Sequence, residues 1–311
     1  MVNIQKCAVI GCGFVGATTA FTLVENGIFS ELVLIDANHK KAEGEAMDLN
    51  HGIPFAKPVK VYAGNYDDIY DCSLIIIAAG ANQKPGETRT DLVKKNSNIL
   101  KSIIPEITKR NNECILLILS NPVDILTYMA LKISGFPKSR VIGSGTVLDT
   151  ARLKYLLAEH LGVDSRNVHA FIIGEHGDSE LAVWSSANIS GIDLKDFCNI
   201  CHKCDSMKTI HSLYDDVRDS AYKIIDAKGA TYYAIAMAAL RIVECIVRDE
   251  HSVLPVSTFV DGEYGIKNVC IGLPAIVSKN GVERILEIPL NKEEANALQK
   301  SANEIKEFIE K

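Results

Sequence analysis

The chain has 311 residues, 47% of them hydrophobic, with a mean hydropathy of +0.10 and a formal net charge of −6 that contains no run of lysine or arginine. That many apolar residues can bury a large core, which excludes a disordered chain, and the charge offers neither nucleic acid nor an anionic membrane a surface to bind. The longest apolar runs, residues 74–79 and 114–119, are far too short to cross a bilayer, and the first residues enter a strand without a basic and then apolar leader, so a cytoplasmic protein is expected.

Residues 6–10 form an apolar run that breaks into Gly11-Cys12-Gly13-Phe14-Val15-Gly16 and resumes as a helix. This is a strand feeding a phosphate-binding loop: Gly11 turns the chain, Gly13 bares the backbone to a pyrophosphate, and Gly16 lets the helix sit close to the strand. Residues 31–35 read as the next strand and end in Asp36, where a ribose-binding acid is expected. A carboxylate there accepts from ribose hydroxyls and repels a 2′-phosphate, which selects NAD over NADP. Cys12, inside the loop, reads as a small residue that fits, or as a thiol open to oxidation beside the pyrophosphate.

Residues 38–50 then read as helix, 59–62 as a short strand, and 73–79 and 113–119 as strands apolar on both faces. Such strands belong to a parallel sheet covered by helices on both sides, so residues 1–145 are expected to form a doubly wound (Rossmann) α/β domain. Its ligands lie beyond the carboxyl ends of the strands. A polar Gly/Pro loop leaves one such end at residues 80–89 and has the composition of a mobile lid; Asn121 stands at another, before Pro122 starts a helix, either capping it or presenting a free amide. Tyr128 and Lys132 match the Y-x-x-x-K spacing of short-chain dehydrogenases, but the cofactor loop lacks that family's glycine pattern.

Residues 146–311 mix their elements differently and are expected to form an α+β domain. Asp149 and Arg152 share a helical face, which by itself reads as a solvated ion pair. A strand over residues 167–173 ends in Gly174-Glu175-His176-Gly177-Asp178, where a histidine between glycines is poorly explained as core. Helix covers residues 221–249 with a weak point at Lys228-Gly229, strands cover 253–260 and 267–288 with a hairpin at Lys279-Asn280-Gly281, and Asn291 with Glu294 caps a last helix. The nine cysteines suit reduced thiols. Cys198, Cys201 and Cys204 read as positions along a helix, since haem attachment at Cys-x-x-Cys-His requires export and a metal site lacks a nearby fourth ligand.

These motifs, occurring jointly and in order, resemble the lactate/malate dehydrogenase family, bacterial type, over nearly the whole chain: the glycine loop, residues 80–89, Ser-Asn-Pro-Val-Asp at 120–124, Leu-Asp-Thr-Ala-Arg at 148–152, Gly-Glu-His-Gly-Asp at 174–178 and Lys-Gly-Ala-Thr at 228–231. The resemblance implies reversible hydride transfer between NADH and pyruvate giving (S)-lactate, with His176 as general acid and base, Asp149 holding its other ring nitrogen, Arg152 gripping the substrate carboxylate and Arg89 polarising the carbonyl. It implies a substrate pocket completed by Gln83, Asn121 and Thr231, and a cofactor site of Gly11, Gly13, Phe14, Val15, Gly16, Asp36, Gly80, Ala81 and Asn121. It also implies a homotetramer and no metal. Many bacterial members bind fructose 1,6-bisphosphate across a subunit interface through an arginine and a histidine; by that resemblance this chain has Lys154 and His169 there, and lysine keeps the charge but not the bidentate grip.

Two other readings stand at this point, a malate dehydrogenase and a non-catalytic NAD-binding regulator. The second needs no acid/base histidine. The first resembles Arg where this chain has Gln83, a neutral wall suited to a methyl group. Gln83→Arg is therefore expected to lower kcat/KM for pyruvate and raise it for oxaloacetate, swinging the ratio by several powers of ten at about 1.4 kcal/mol per tenfold. Equal losses on both substrates would make Gln83 a residue of lid folding and not of specificity.

Overall fold

The computed structural model describes residues 3–81, 88–203 and 207–309. Its first half alternates β1 (Asn3–Ile10), α1 (Phe14–Asn26), β2 (Glu31–Ile35), α2 (His39–Gly52), β3 (Lys60–Ala63), β4 (Cys72–Ile77), α3 (Arg89–Thr108), β5 (Ile115–Ile118), α4 (Val123–Ser134) and β6 (Val141–Gly143). The strands are parallel in the order β3-β2-β1-β4-β5-β6. Alternate residues of each strand serve opposite faces. Cys7, Val9, Leu74, Ile76 and Leu117 pack under α1 and α2, while Ala8, Ile10, Ile75, Ile77 and Leu116 pack under α3 and α4. Both faces are thus dry, which is why the strands read as unbroken apolar runs. The strand order reverses between β1 and β4, so their carboxyl ends open a crevice.

The second half runs α5 (Val147–Leu161), β7 (Val168–His169), β8 (Ile172–Ile173), β9 (Leu181–Ala182), β10 (Asn188–Ile189), β11 (Ile192–Asp193), α6 (Leu194–Cys201), α7 (Met207–Lys228), α8 (Tyr233–Val247), β12 (Ser252–Asp261), β13 (Lys267–Ser278), β14 (Gly281–Ile285) and α9 (Lys292–Ile309). Strands β12 to β14 add antiparallel to β6, where Ser257 faces Gly143, so one sheet of nine strands runs through both halves. The hairpin forms at Gly281, with φ +89°, and α9 starts with the reciprocal Asn291–Glu294 capping bonds, 2.9 Å each way. The weak point is also where expected: α7 ends at Lys228, Gly229 has φ +84°, and α8 begins at Tyr233.

Two expectations are corrected. Residues 167–173 are not one strand, because β7 pairs with β10 while β8 pairs with β9. Between them the chain is captured by α5: the Thr150 hydroxyl accepts from the Ile172 N–H at 2.9 Å and the Thr146 hydroxyl donates to the Ile172 carbonyl at 2.6 Å. Cys198 and Cys201 do lie on a helix, α6, but Cys198 is disulfide-bonded, whereas Cys7, Cys12, Cys72, Cys114, Cys201, Cys245 and Cys270 are free thiols. Disulfide formation depends on Cβ approach in space, which spacing along the chain does not establish. Cys204 lies outside the described residues.

Candidate active site

The glycine loop follows β1 at the crevice. A Cβ on Gly16 would stand 1.8 Å from the Gly11 carbonyl oxygen, and one on Gly11, at φ +97°, would stand 2.5 Å from the Ala79 backbone after β4. These contacts hold α1 tight against β1 and β4. Gly13 differs, because a Cβ there would meet nothing within 4 Å. It is the N-cap of α1, which has no side-chain cap and no acidic residue in its first turn, so its leading N–H groups are left for an anion. Asp36 sits at the end of β2, where its carboxylate accepts from the N–H groups of Cys12 at 2.7 Å and Asn38 at 2.8 Å. The open space at Gly13, the uncapped helix end and the anchored acid fit a dinucleotide. Phe14 is exposed and Val15 half-buried on the same turn. Burial, and then the Asp36 charge, push the Cys12 thiol up to about 12, so it is not a reactive thiolate.

The second centre lies where β8 ends and α5 passes. Asp149, in the first turn of α5, is buried and uses both oxygens: Oδ2 meets His176 Nδ1 at 2.6 Å and Oδ1 accepts from Arg152 Nη1 at 2.8 Å. Burial works against the Asp149 charge, but His176 and then Arg152 hold its carboxyl below the usual range. Burial likewise works against the imidazolium, yet the neighbouring Asp149 carboxylate outweighs it and pushes His176 up to about 9. The solvated-pair reading of Asp149 and Arg152 is therefore replaced by a chain in which the buried Asp149 carboxylate joins a half-buried guanidinium to a half-buried imidazole. Asp149, His176 and Glu180 bring ligand atoms within 4.8 Å of one another, but Arg152 stands on Asp149, and His176 Nδ1 is already bonded, which disfavours a dication there.

Other residues hold the histidine in place. The His176 N–H donates to Asp124 Oδ2 at 2.8 Å, and the Ser257 hydroxyl donates to Asp124 Oδ1 at 2.5 Å. Glu175 forms an ion pair with Arg89, the first residue of α3, whose guanidinium also lies 5.1 Å from the Phe308 ring. The residue pattern alone gives neither Asp124 nor Glu175 a role. The available signal was an acid in the first turn of a helix leaving a sheet strand, and an acid next to the histidine.

The two centres are tied by Asn96 of α3. Its amide accepts from the Ala81 N–H at 2.8 Å and donates to the carbonyls of Ala81 at 3.2 Å and Asn121 at 2.7 Å, which fixes the chain beyond β4 and β5. Gly80 and Ala81 thus lie just beyond β4 and Asn121 beyond β5, and Asn121 does not cap α4. Thr231 lies between α7 and α8, beside Tyr232, whose ring stacks on Phe14 with centroids 5.3 Å apart. Gln83 lies outside the described residues. Lys154 is half-buried on α5, where burial lowers its ammonium, and His169 is exposed on β7, which packs on α5.

Comparison with known proteins matches residues 5–143 to the lactate/malate dehydrogenase NAD binding domain and residues 146–311 to the lactate/malate dehydrogenase alpha/beta C-terminal domain. The chain is 58% identical to an L-lactate dehydrogenase of Acetivibrio thermocellus over 98% of this chain and 96% of that protein, and 57% identical to L-lactate dehydrogenase 1 of Clostridium acetobutylicum over 98% and 97%. Among solved structures, a lactate dehydrogenase from a Medee basin deep-sea metagenome library is similar with a TM-score of 0.96 and 46% identity over 100% of this chain and 99% of that one. The minor L-lactate dehydrogenase of Enterococcus mundtii is similar with 0.95 and 43% over 98% of each.

The loop geometry separates two substitutions. Gly13→Ala is expected to leave the melting temperature unchanged and weaken NADH binding at least about tenfold, since the methyl occupies the open approach. Gly16→Ala should cost about 1–3 kcal/mol of stability as well, because α1 must move away from Gly11. NADH fluorescence titration beside thermal melts checks this; wild-type affinity in Gly13→Ala would show that the pyrophosphate does not lie there.

Proposed function

We infer that this chain, which belongs to the lactate/malate dehydrogenase family, acts as an NAD-dependent L-lactate dehydrogenase interconverting pyruvate and (S)-lactate. The observation that carries the reading is the Arg152–Asp149–His176 chain, with contacts of 2.8 Å and 2.6 Å. Gly11, Gly13, Phe14, Val15, Gly16, Gly80, Ala81 and Asn121 would hold NAD, and Asp36 its ribose. Bound NADH supplies the hydride for pyruvate reduction and NAD accepts it from lactate. Arg152 spends one N–H on Asp149 and keeps the rest of its planar fork for the substrate carboxylate. His176, bonded through Nδ1, carries its transferable proton on Nε2 and gives it to the carbonyl oxygen; Asp149 orients the ring and stabilises the imidazolium. Arg89, held beside Gly177 by Glu175, polarises that carbonyl, and Thr231 would line the pocket; Gln83, outside the described residues, would supply the neutral wall for the methyl group.

The same reading places the protein in the cytoplasm as a homotetramer. An open groove of about 510 Å³ between α1 and α2, lined by Phe21, Val24, Leu49 and Phe55, supports self-association, since Phe21 and Phe55 are otherwise exposed. Among the described residues no helix is long and apolar enough to cross a membrane. Fructose 1,6-bisphosphate fits as an activator at Lys154 and His169. A malate enzyme is disfavoured by Gln83, and a non-catalytic regulator would leave the Asp149–His176 dyad without use.

Reduction needs the imidazolium, so kcat/KM for pyruvate is expected to hold below a pH of about 9 and fall above it, while lactate oxidation, which needs neutral imidazole, rises through the same range. Asp149→Asn should move both limbs down by about one to three units. His176→Gln should keep NADH binding and lose at least about a hundredfold in turnover. A loss under tenfold, followed as NADH absorbance with pyruvate, would overturn the assignment.

A further inference from the structure

One acid beside the dyad has no part in the reaction as described. Glu180 is only 8% exposed, and its carboxyl lies with those of Asp149 and the ring of His176 inside a 4.8 Å cluster. Its backbone is fastened at both ends, the N–H donating to the Gly177 carbonyl at 3.2 Å and the carbonyl accepting from the Tyr214 hydroxyl at 2.5 Å. The carboxyl itself is poorly served: Oε1 is buried without a hydrogen-bond partner. A buried, unpaired carboxylate is costly in such a place.

The groups that act on it come from two helices and the histidine loop: Asp149 and Arg152 on α5, Tyr214 and Arg218 on α7, and His176 itself. Asp124 of α4 acts on His176 instead, and Arg89 of α3 pairs with Glu175. Burial and then Asp149 raise the Glu180 carboxyl to about 9, against the opposing pull of His176, Arg152 and Arg218. Glu180 in turn is among the groups that favour the His176 imidazolium, after Asp149. Two groups this close, with overlapping titration ranges, lose their protons as a pair.

We propose that Glu180 is a positioning residue acting through His176: its buried, unpartnered carboxyl in the 4.8 Å cluster releases its proton to solvent as the pH rises, and its carboxylate then retains the proton on His176. From the state with both groups protonated, one proton can leave in two ways. Loss from His176 ends pyruvate reduction. Loss from Glu180 leaves an imidazolium flanked by two carboxylates, which Coulomb attraction favours inside a site with little water. The enzyme–NADH complex therefore keeps its proton donor further into the alkaline range than Asp149 alone allows. The inference rests on His176 being the proton donor.

The test is the pH dependence of kcat/KM for pyruvate at saturating NADH, and of kcat/KM for lactate at saturating NAD, in wild type and Glu180→Gln. The expected result is that the alkaline limb for pyruvate moves down by half a unit or more, so that the ratio of activity at pH 9 to that at pH 6.5 falls about threefold or more. The limb for lactate should move down with it, raising lactate oxidation near pH 7 relative to pH 9, an effect that damage to the fold cannot mimic. Limbs that stay in place, or a uniform loss at every pH, would overturn the proposal. Wild type decides the matter even if the variant does not fold: paired titration spreads its alkaline limb over a wider range than one proton requires, and a limb of single-proton steepness is the contrary result. A wild-type protein that does not reduce pyruvate would instead overturn the functional assignment.

Discussion

The contact between the buried Asp149 and the half-buried His176, 2.6 Å long, sets the terms for everything around it. Neither partner would hold its charge alone in that position, because burial opposes both. Removing a carboxylate from water costs several kcal/mol, and attraction to a single cation offsets this only with good geometry and further hydrogen bonds. Those further bonds are present: Arg152 takes the second oxygen of Asp149, and Asp124 fixes the backbone of His176. The charges are thus arranged before any substrate arrives, which is what makes them useful to a reaction that moves a proton.

That arrangement depends on how the two halves of the chain are joined. Strand β12 adds to β6, so the sheet that carries the cofactor crevice also carries Ser257, and Ser257 donates to Asp124. Asp124 stands at the start of α4, directly after the β5 end that lines the crevice, and it receives the His176 N–H. One rigid path of strand, helix terminus and hydrogen bond therefore connects the nucleotide side to the acid/base side. Asn96 does the corresponding work between the ends of β4 and β5. Small displacements between the halves would be felt at the histidine, which explains why the connecting groups are buried and polar.

Much of this was legible in the chain because it is local. The glycine loop, the acid at the end of β2, the two-faced apolar strands and the capping box of α9 each depend on neighbours a few residues apart, and each stands where the residue pattern put it. Cys12 shows the limit even within a local motif: its position in the loop was plain, but its burial, and hence its lack of reactivity, was not. The division of residues 167–173 between β7 and β8 was likewise hidden, since an apolar run does not state its pairing partners.

By itself, the sequence determined the class of sheet, the place of the glycine loop and, through a chain-long resemblance, which histidine, aspartate and arginines to examine. Only the tertiary structure decided how they are charged. Asp149 meets His176 across 27 residues, Asp124 receives it across 52 and Ser257 reaches Asp124 across 133. The raised proton affinity of His176 and the burial of Glu180 follow from those distant approaches and from the water they exclude. Electrostatic energies depend on distance and burial in space, and separation along the chain carries neither.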